Sequence, residues 1–207
     1  MMNDRARHWH KVYTDKQPEN VSWYQPAPHQ SLLALDRFAA RPAQSLIDIG
    51  GGASTLVDAL LARGWDDVSV LDIAEPALAA ARVRLGAAGA TVTWLAADIT
   101  AWQPPRRYDI WHDRAVFHFL TEVPQRRAYI RALEDGVAEG GLAIIATFAL
   151  DGPEKCSGLA VERYDADTLA ATVGESFVLE ANWRDEHLTP WGARQTFTWC
   201  VFRRAAR

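Results

Sequence analysis

The chain has 207 residues and a formal net charge of −4, a balance that offers no basic surface for nucleic acid or anionic membranes. Hydrophobic residues make up 49%, enough for one α/β domain with a substantial core and too many for a disordered segment. Two cysteines, Cys156 and Cys200, make no disulfide framework, no apolar run reaches membrane-spanning length, and the opening MMNDRARHWH lacks a signal-peptide core; a cytoplasmic protein, monomer or weak dimer, without membrane or nucleic-acid partner, is expected.

Residues 1–40 read as a separate aromatic lid or helical segment before a main domain over 41–207. Trp9, Tyr13, Trp23 and Tyr24 cluster there, and Pro18, Pro26 and Pro28 favour irregular, mobile backbone. Such a segment suits a cover that excludes water; an aromatic helix packed on the sheet edge is the alternative. Ser31 to Ala40 reads as a helix with Ser31 as its N-cap. His8 and His10 have no nearby third ligand, so no metal is expected.

From residue 45, strands and helices alternate: strand 45–50, helix 53–63 stopped by Gly64, strand 68–72, helix 76–85, strand 91–96, strand 108–112, helix 124–138 stopped by Gly140-Gly141, and strand 142–148. This alternation predicts a Rossmann-like, doubly wound and mostly parallel α/β sheet. A helix near 166–173 then precedes two strand-like runs, 177–183 and 195–203, expected to pair as an antiparallel hairpin at one sheet edge.

The chemistry concentrates at strand tips. Asp48-Ile49-Gly50-Gly51-Gly52-Ala53-Ser54 runs from a buried strand into a glycine turn, and Asp72 ends the next strand 24 residues after Asp48. This is the pattern of a nucleotide-binding βαβ unit, in which glycines admit the ligand to the backbone and an acid grips a ribose diol. A nicotinamide cofactor is disfavoured. The third fingerprint glycine is replaced by Thr55, and no tyrosine is followed four positions later by lysine. A P-loop is excluded because no Gly-Lys-Ser/Thr occurs.

From Asp48-Ile49-Gly50-Gly51-Gly52, Asp72, Ala97-Asp98-Ile99 and His112-Asp113-Arg114, taken in order, the chain resembles the class I S-adenosylmethionine (SAM)-dependent methyltransferases over roughly 45–205. The resemblance implies a SAM-dependent enzyme that releases S-adenosylhomocysteine (SAH). It implies a cofactor set of Trp9, Asp48, Gly50, Gly51, Gly52, Ser54, Asp72, Ile73, Asp98, Ile99 and His112, with Asp72 on the ribose and Asp98 on the adenine amine. Asp113, Arg114 and His118 are the catalytic candidates, Asp113 and His118 as bases and Arg114 for an anionic group. Asp113 and Arg114 read equally as a salt bridge, and His118 as a packed helix–sheet contact.

Asp113-Arg114-Ala115-Val116 is similar to the Asp-Arg-Gly-Ala stretch of thiopurine and thiol S-methyltransferases, which implies a small acceptor with a soft nucleophile such as a thiol. Ser22-Trp23-Tyr24 is similar to protein lysine methyltransferases, and a non-enzymatic SAM- or nucleotide-binding module is a third reading. Cys156 falls on the loop after the fifth strand, where Lys155 would lower its pKa; an ordinary loop cysteine is the alternative.

Overall fold

The computed structural model describes residues 3–206. Five parallel strands carry the fold: β1 (Leu46–Ile49), β2 (Val68–Asp72), β3 (Thr93–Ala96), β4 (Tyr108–Arg114) and β5 (Val137–Phe148). Two short strands, β6 (Lys155–Cys156) and β7 (Leu159–Ala160), form a separate hairpin. The chain ends in β8 (Phe177–Leu188) and β9 (Arg194–Arg204). The main sheet runs β3-β2-β1-β4-β5-β9-β8, with β9 antiparallel to both neighbours. The expected doubly wound sheet with a terminal hairpin is what forms. Both hairpin strands are longer than expected because they pair continuously past Trp183 to Leu188.

Six helices flank the sheet: α1 (Asp4–Asp15), α2 (His29–Arg37), α3 (Leu56–Ala62), α4 (Glu75–Leu85), α5 (Val123–Gly136) and α6 (Ala166–Val173). β1, β2 and the inner part of β5 are buried on both faces, as their unbroken apolar runs require. One core layer joins α2 and α3 to one face of the sheet, and the other joins α5 and α6 to the opposite face.

Three local expectations are corrected. Ser31 is not a cap: α2 begins at His29, and Ser31 is buried within its first turn. Residues 4–15 are regular helix, because Asn3 caps α1 by accepting from Ala6 N and the prolines all come later. Gly140-Gly141 does not stop α5. That helix ends at Gly136, where a Cβ would lie 2.8 Å from the Trp111 ring, and the glycine pair lies within β5. There a Cβ on Gly141 would meet the Ala138 and Asp109 carbonyls at 2.8 and 2.9 Å.

The strand order reverses between β1 and β4, with β2 and β3 on one side and β5 on the other. In open α/β sheets that crevice, beyond the carboxyl ends of the strands, is where ligands bind.

Candidate functional site

A cavity opens at this switch point, lined among others by Gly50, Asp72, Ile73, Asp98, Ile99 and Arg114. A second space shares Tyr13, Trp23, Gly50 and Arg114 with it and reaches Ser31, Asp48, Gly51, Ser54 and His112. Every expected cofactor-set residue except Gly52 lines one of the two.

The glycine turn is shaped by what crowds it. Gly50 has φ +68° and Gly52 φ +34°, values that side-chain-bearing residues adopt at a cost. A Cβ on Gly50 would lie 2.0 Å from Val116 Cγ2, and one on Gly52 would lie 2.4 Å from Asp72 Oδ2. Gly52 therefore acts from behind the cavity, by letting the β2 carboxylate close in.

Asp72 sits at the tip of β2, 6% exposed, and accepts from the Ala74 backbone N–H at 2.8 Å. Burial, opposed by that hydrogen bond and assisted by the nearby Asp48 charge, pushes its carboxyl up to about 7. Asp98 is different. Burial acts against its charge, but the Thr100 backbone and hydroxyl, Asn3 and Arg5 more than offset this and hold it below the usual carboxylate range. Its oxygens accept from Asn3 Nδ2 at 2.7 Å and Arg5 Nη2 at 3.1 Å. The carboxylate expected on an adenine amine thus also ties α1 to the sheet.

Helix α1 forms a roof. Arg5, Trp9 and Tyr13 recur every four residues, share one helical face, and all line the cavity. Trp9 meets Trp23 and Phe119 edge to face at 5.5 and 5.0 Å, and Trp23 Nε1 donates to the Tyr13 hydroxyl at 3.1 Å. Tyr24, expected in this cluster, does not line either space. Arg5 was missed in the sequence, although the i, i+4, i+8 spacing was there to read.

At the tip of β4, side chains alternate between faces. His112 and Arg114 face the cavity side. His112 bridges Asp48 Oδ1 at 2.7 Å and Ser31 Oγ at 2.9 Å. Asp113 faces the other way, lines neither space, and accepts from Val116 N, Phe117 N and the Tyr129 hydroxyl. Burial raises its carboxyl to about 6 against those hydrogen bonds. His118 also lies outside both spaces. Its Nδ1 accepts from Phe148 N at 3.3 Å, its ring packs on Phe119 and Phe148, and burial, helped by Arg114, lowers it to about 3. Neither candidate base therefore faces the cavity, and no Asp113–Arg114 ion pair forms within 4 Å.

Cys156 corrects an expectation. It is 4% exposed on β6, lines the larger cavity, and burial raises its thiol to about 11. Lys155 beside it in sequence is exposed, and the rise is opposed by a Ser22 hydrogen bond and the Arg114 charge instead.

The chain is similar to known proteins in part of its sequence and in its fold. Residues 46–141 match a family model described as a methyltransferase domain. A trans-aconitate 2-methyltransferase from Rhizobium etli is 35% identical over 116 residues, 54% of this chain and 43% of that protein. The corresponding enzyme of Afipia carboxidovorans is 35% identical over 130 residues, 61% and 46% of the two chains. The chain thus spans less than half the length of these curated relatives. Among solved structures, a SAM-dependent methyltransferase from Anabaena variabilis superposes with a TM-score of 0.76 at 16% identity, over 98% of this chain and 96% of that one. The N-methyltransferase NodS of Bradyrhizobium japonicum, solved with SAH, gives 0.73 at 17% identity over 95% and 98%.

Proposed function

We propose that this chain is a class I SAM-dependent methyltransferase, a reading its matched domain and its fold support, and that it transfers a methyl group to a small-molecule acceptor inside the cavity roofed by α1. The observation that carries the reading is the cavity itself. Gly50 of the glycine turn, the buried acid Asp72 and the Asp98-Ile99 segment line one space at the switch point.

The residues present fit the cofactor. A carboxyl raised to about 7 by burial gains from two hydroxyl donors, so Asp72 suits a ribose diol. Gly50 and Gly51 leave backbone open to the amino-acid portion, and Ile73 and Ile99 offer apolar surface to the base. Bound SAM supplies a sulfonium methyl group: the acceptor's lone pair forms the new bond to carbon as the carbon–sulfur bond breaks, and the electron pair stays on sulfur.

The protein's own contribution is alignment and dryness. Trp9, Tyr13 and Trp23 close the roof, and the Arg5–Asp98 ion pair holds it at the adenine end. Residues 3–40 thereby act as the lid of the domain that follows. Asp113 and His118 serve as anchors of the turn after β4, and acceptor contacts fall to Arg114, Phe119 and the Cys156 side of the cavity. The trans-aconitate 2-methyltransferases, by their name, act on a small molecule, which supports this acceptor class. The thiol reading rests on the Asp113-to-Val116 resemblance.

The test is isothermal titration with SAH, with NADH as control, on wild type and Asp72→Ala. Micromolar SAH binding that weakens by about 1–3 kcal/mol in the variant supports the assignment. NADH binding without SAH binding would refute it.

A further inference from the structure

Arg114 is a half-buried cation whose Nη2 is the part left without a partner. No carboxylate lies within 4 Å of it among the described residues. Its Nη1 donates to the Trp23 carbonyl at 3.0 Å, while Nη2 is shielded from solvent and has no hydrogen-bond partner. An unsatisfied buried guanidinium nitrogen is costly, and such a group in a native fold calls for an explanation. Burial lowers Arg114 to about 10, with Asp185 the largest opposing influence; it therefore remains charged at neutral pH.

Its position spans the cavity from the glycine turn to the C-terminal strands. The glycine turn, Asp72 and Asp98 gather over β1, β2 and β3. The Arg114 guanidinium instead lies 5.0 Å from the Phe197 ring of β9 and feels the charge of Asp185 on β8. It lines both spaces, at their junction. A planar fork of N–H donors matches a carboxylate in shape and charge.

We propose that Arg114 is the specificity-determining residue of the acceptor site, and that the methyl acceptor is a small carboxylic acid docked through its carboxylate on this guanidinium. The inference rests on the methyltransferase reading and deepens it. A carboxylate docked there would pair with the guanidinium and give Nη2 its acceptor. A neutral thiol or amine offers Nη2 a single uncharged acceptor and no charge to pair with the guanidinium.

The experiment is titration of SAH-loaded protein with aliphatic mono-, di- and tricarboxylates, their neutral amides, and small thiols, for wild type, Arg114→Lys and Arg114→Met. SAH titration of the same samples comes first. We expect acids to bind and their amides not to. Acid affinity falls at least tenfold in Arg114→Met, less in Arg114→Lys, and SAH affinity stays within threefold. The acid-against-amide comparison in wild type holds even if Arg114→Met does not fold. Absence of SAH binding in wild type refutes the methyltransferase reading, and the carboxylate receptor with it. SAH binding with no acid bound, or with amides or thiols bound as well as acids, refutes the carboxylate receptor alone. A tenfold loss of SAH affinity in Arg114→Met with acid binding unchanged assigns the guanidinium to the cofactor's own carboxylate and overturns the proposal.

Discussion

His112 Nδ1 lies 2.7 Å from Asp48 Oδ1 across the β1–β4 ladder, where the two residues are register partners. The other ring nitrogen meets Ser31 Oγ at 2.9 Å, so one imidazole joins α2, β1 and β4. All three side chains are buried, at 2% (Ser31), 3% (Asp48) and 2% (His112). Removing the ring strands a buried carboxylate directly beneath the glycine turn. His112→Phe is expected to cost about 3 kcal/mol, read from urea denaturation, and to weaken SAH binding. Ser31→Ala loses one hydrogen bond, costs about 1 kcal/mol, and leaves SAH affinity within twofold.

Asp72 couples ligand binding to pH. Its carboxyl is raised to about 7 in the free protein by burial. Hydroxyl donors favour the charged form, so a bound diol lowers that value and binding releases a proton. SAH affinity should therefore rise between pH 6 and 8 and flatten above. Titration at several pH values checks this, and Asp72→Asn should abolish the slope.

The same raised value has a cost in stability. The folded state holds the proton more tightly than the unfolded chain, so stability falls as pH rises from the unfolded value toward 7 and is lowest above it. Asp72→Asn should stabilise the free protein at pH 8 by about 1–3 kcal/mol, roughly 2–4 °C per kcal/mol in melting temperature. The same variant should bind SAH more weakly, a trade of stability for function.

Ala115 stands at φ +72° at the end of β4, where the resembled Asp-Arg-Gly-Ala stretch carries glycine. Its backbone is strained there because the Cβ crowds the following carbonyl. Ala115→Gly is expected to stabilise the fold by about 0.5–1 kcal/mol. Gly50→Ala, at φ +68° with Val116 Cγ2 2.0 Å from the new Cβ, should destabilise by more than about 1 kcal/mol. Chemical denaturation of the pair measures both signs.

Asp113 should act as an anchor of structure. Asp113→Ala leaves Val116 N, Phe117 N and the Tyr129 hydroxyl without their acceptor, at an expected cost of about 2–4 kcal/mol in denaturation. At a temperature where the variant is folded, the pH dependence of SAH binding should match wild type, because Asp113 does not face the cavity.

Hydrophobic periodicity and turn residues were enough to read the alternating elements, the glycine turn and Asp72 at the tip of its strand. These are local: a run of Leu46 to Ile49 followed by three glycines specifies strand and turn with contacts only a few residues apart. Successive parallel strands then place their tips on one edge, which brings Asp48, Asp72 and Asp98 together without further information.

What needed the tertiary structure were relations between distant residues and the choice between faces. Ser31 had the composition of a cap, yet the fold spends its hydroxyl on His112, 81 positions away. Arg5 reaches Asp98 across 93 positions. Asp113 and Arg114 are neighbours in sequence, but the two-residue period of β4 turns one toward Tyr129 and the other into the cavity. Cys156 is next to Lys155, but desolvation by the packed hairpin decides its thiol. Local pattern determines which elements form, because propensity and periodicity act over a few residues. Burial, pairing and the facing of each side chain arise from the packing of elements far apart in the chain, and only the folded protein decides them.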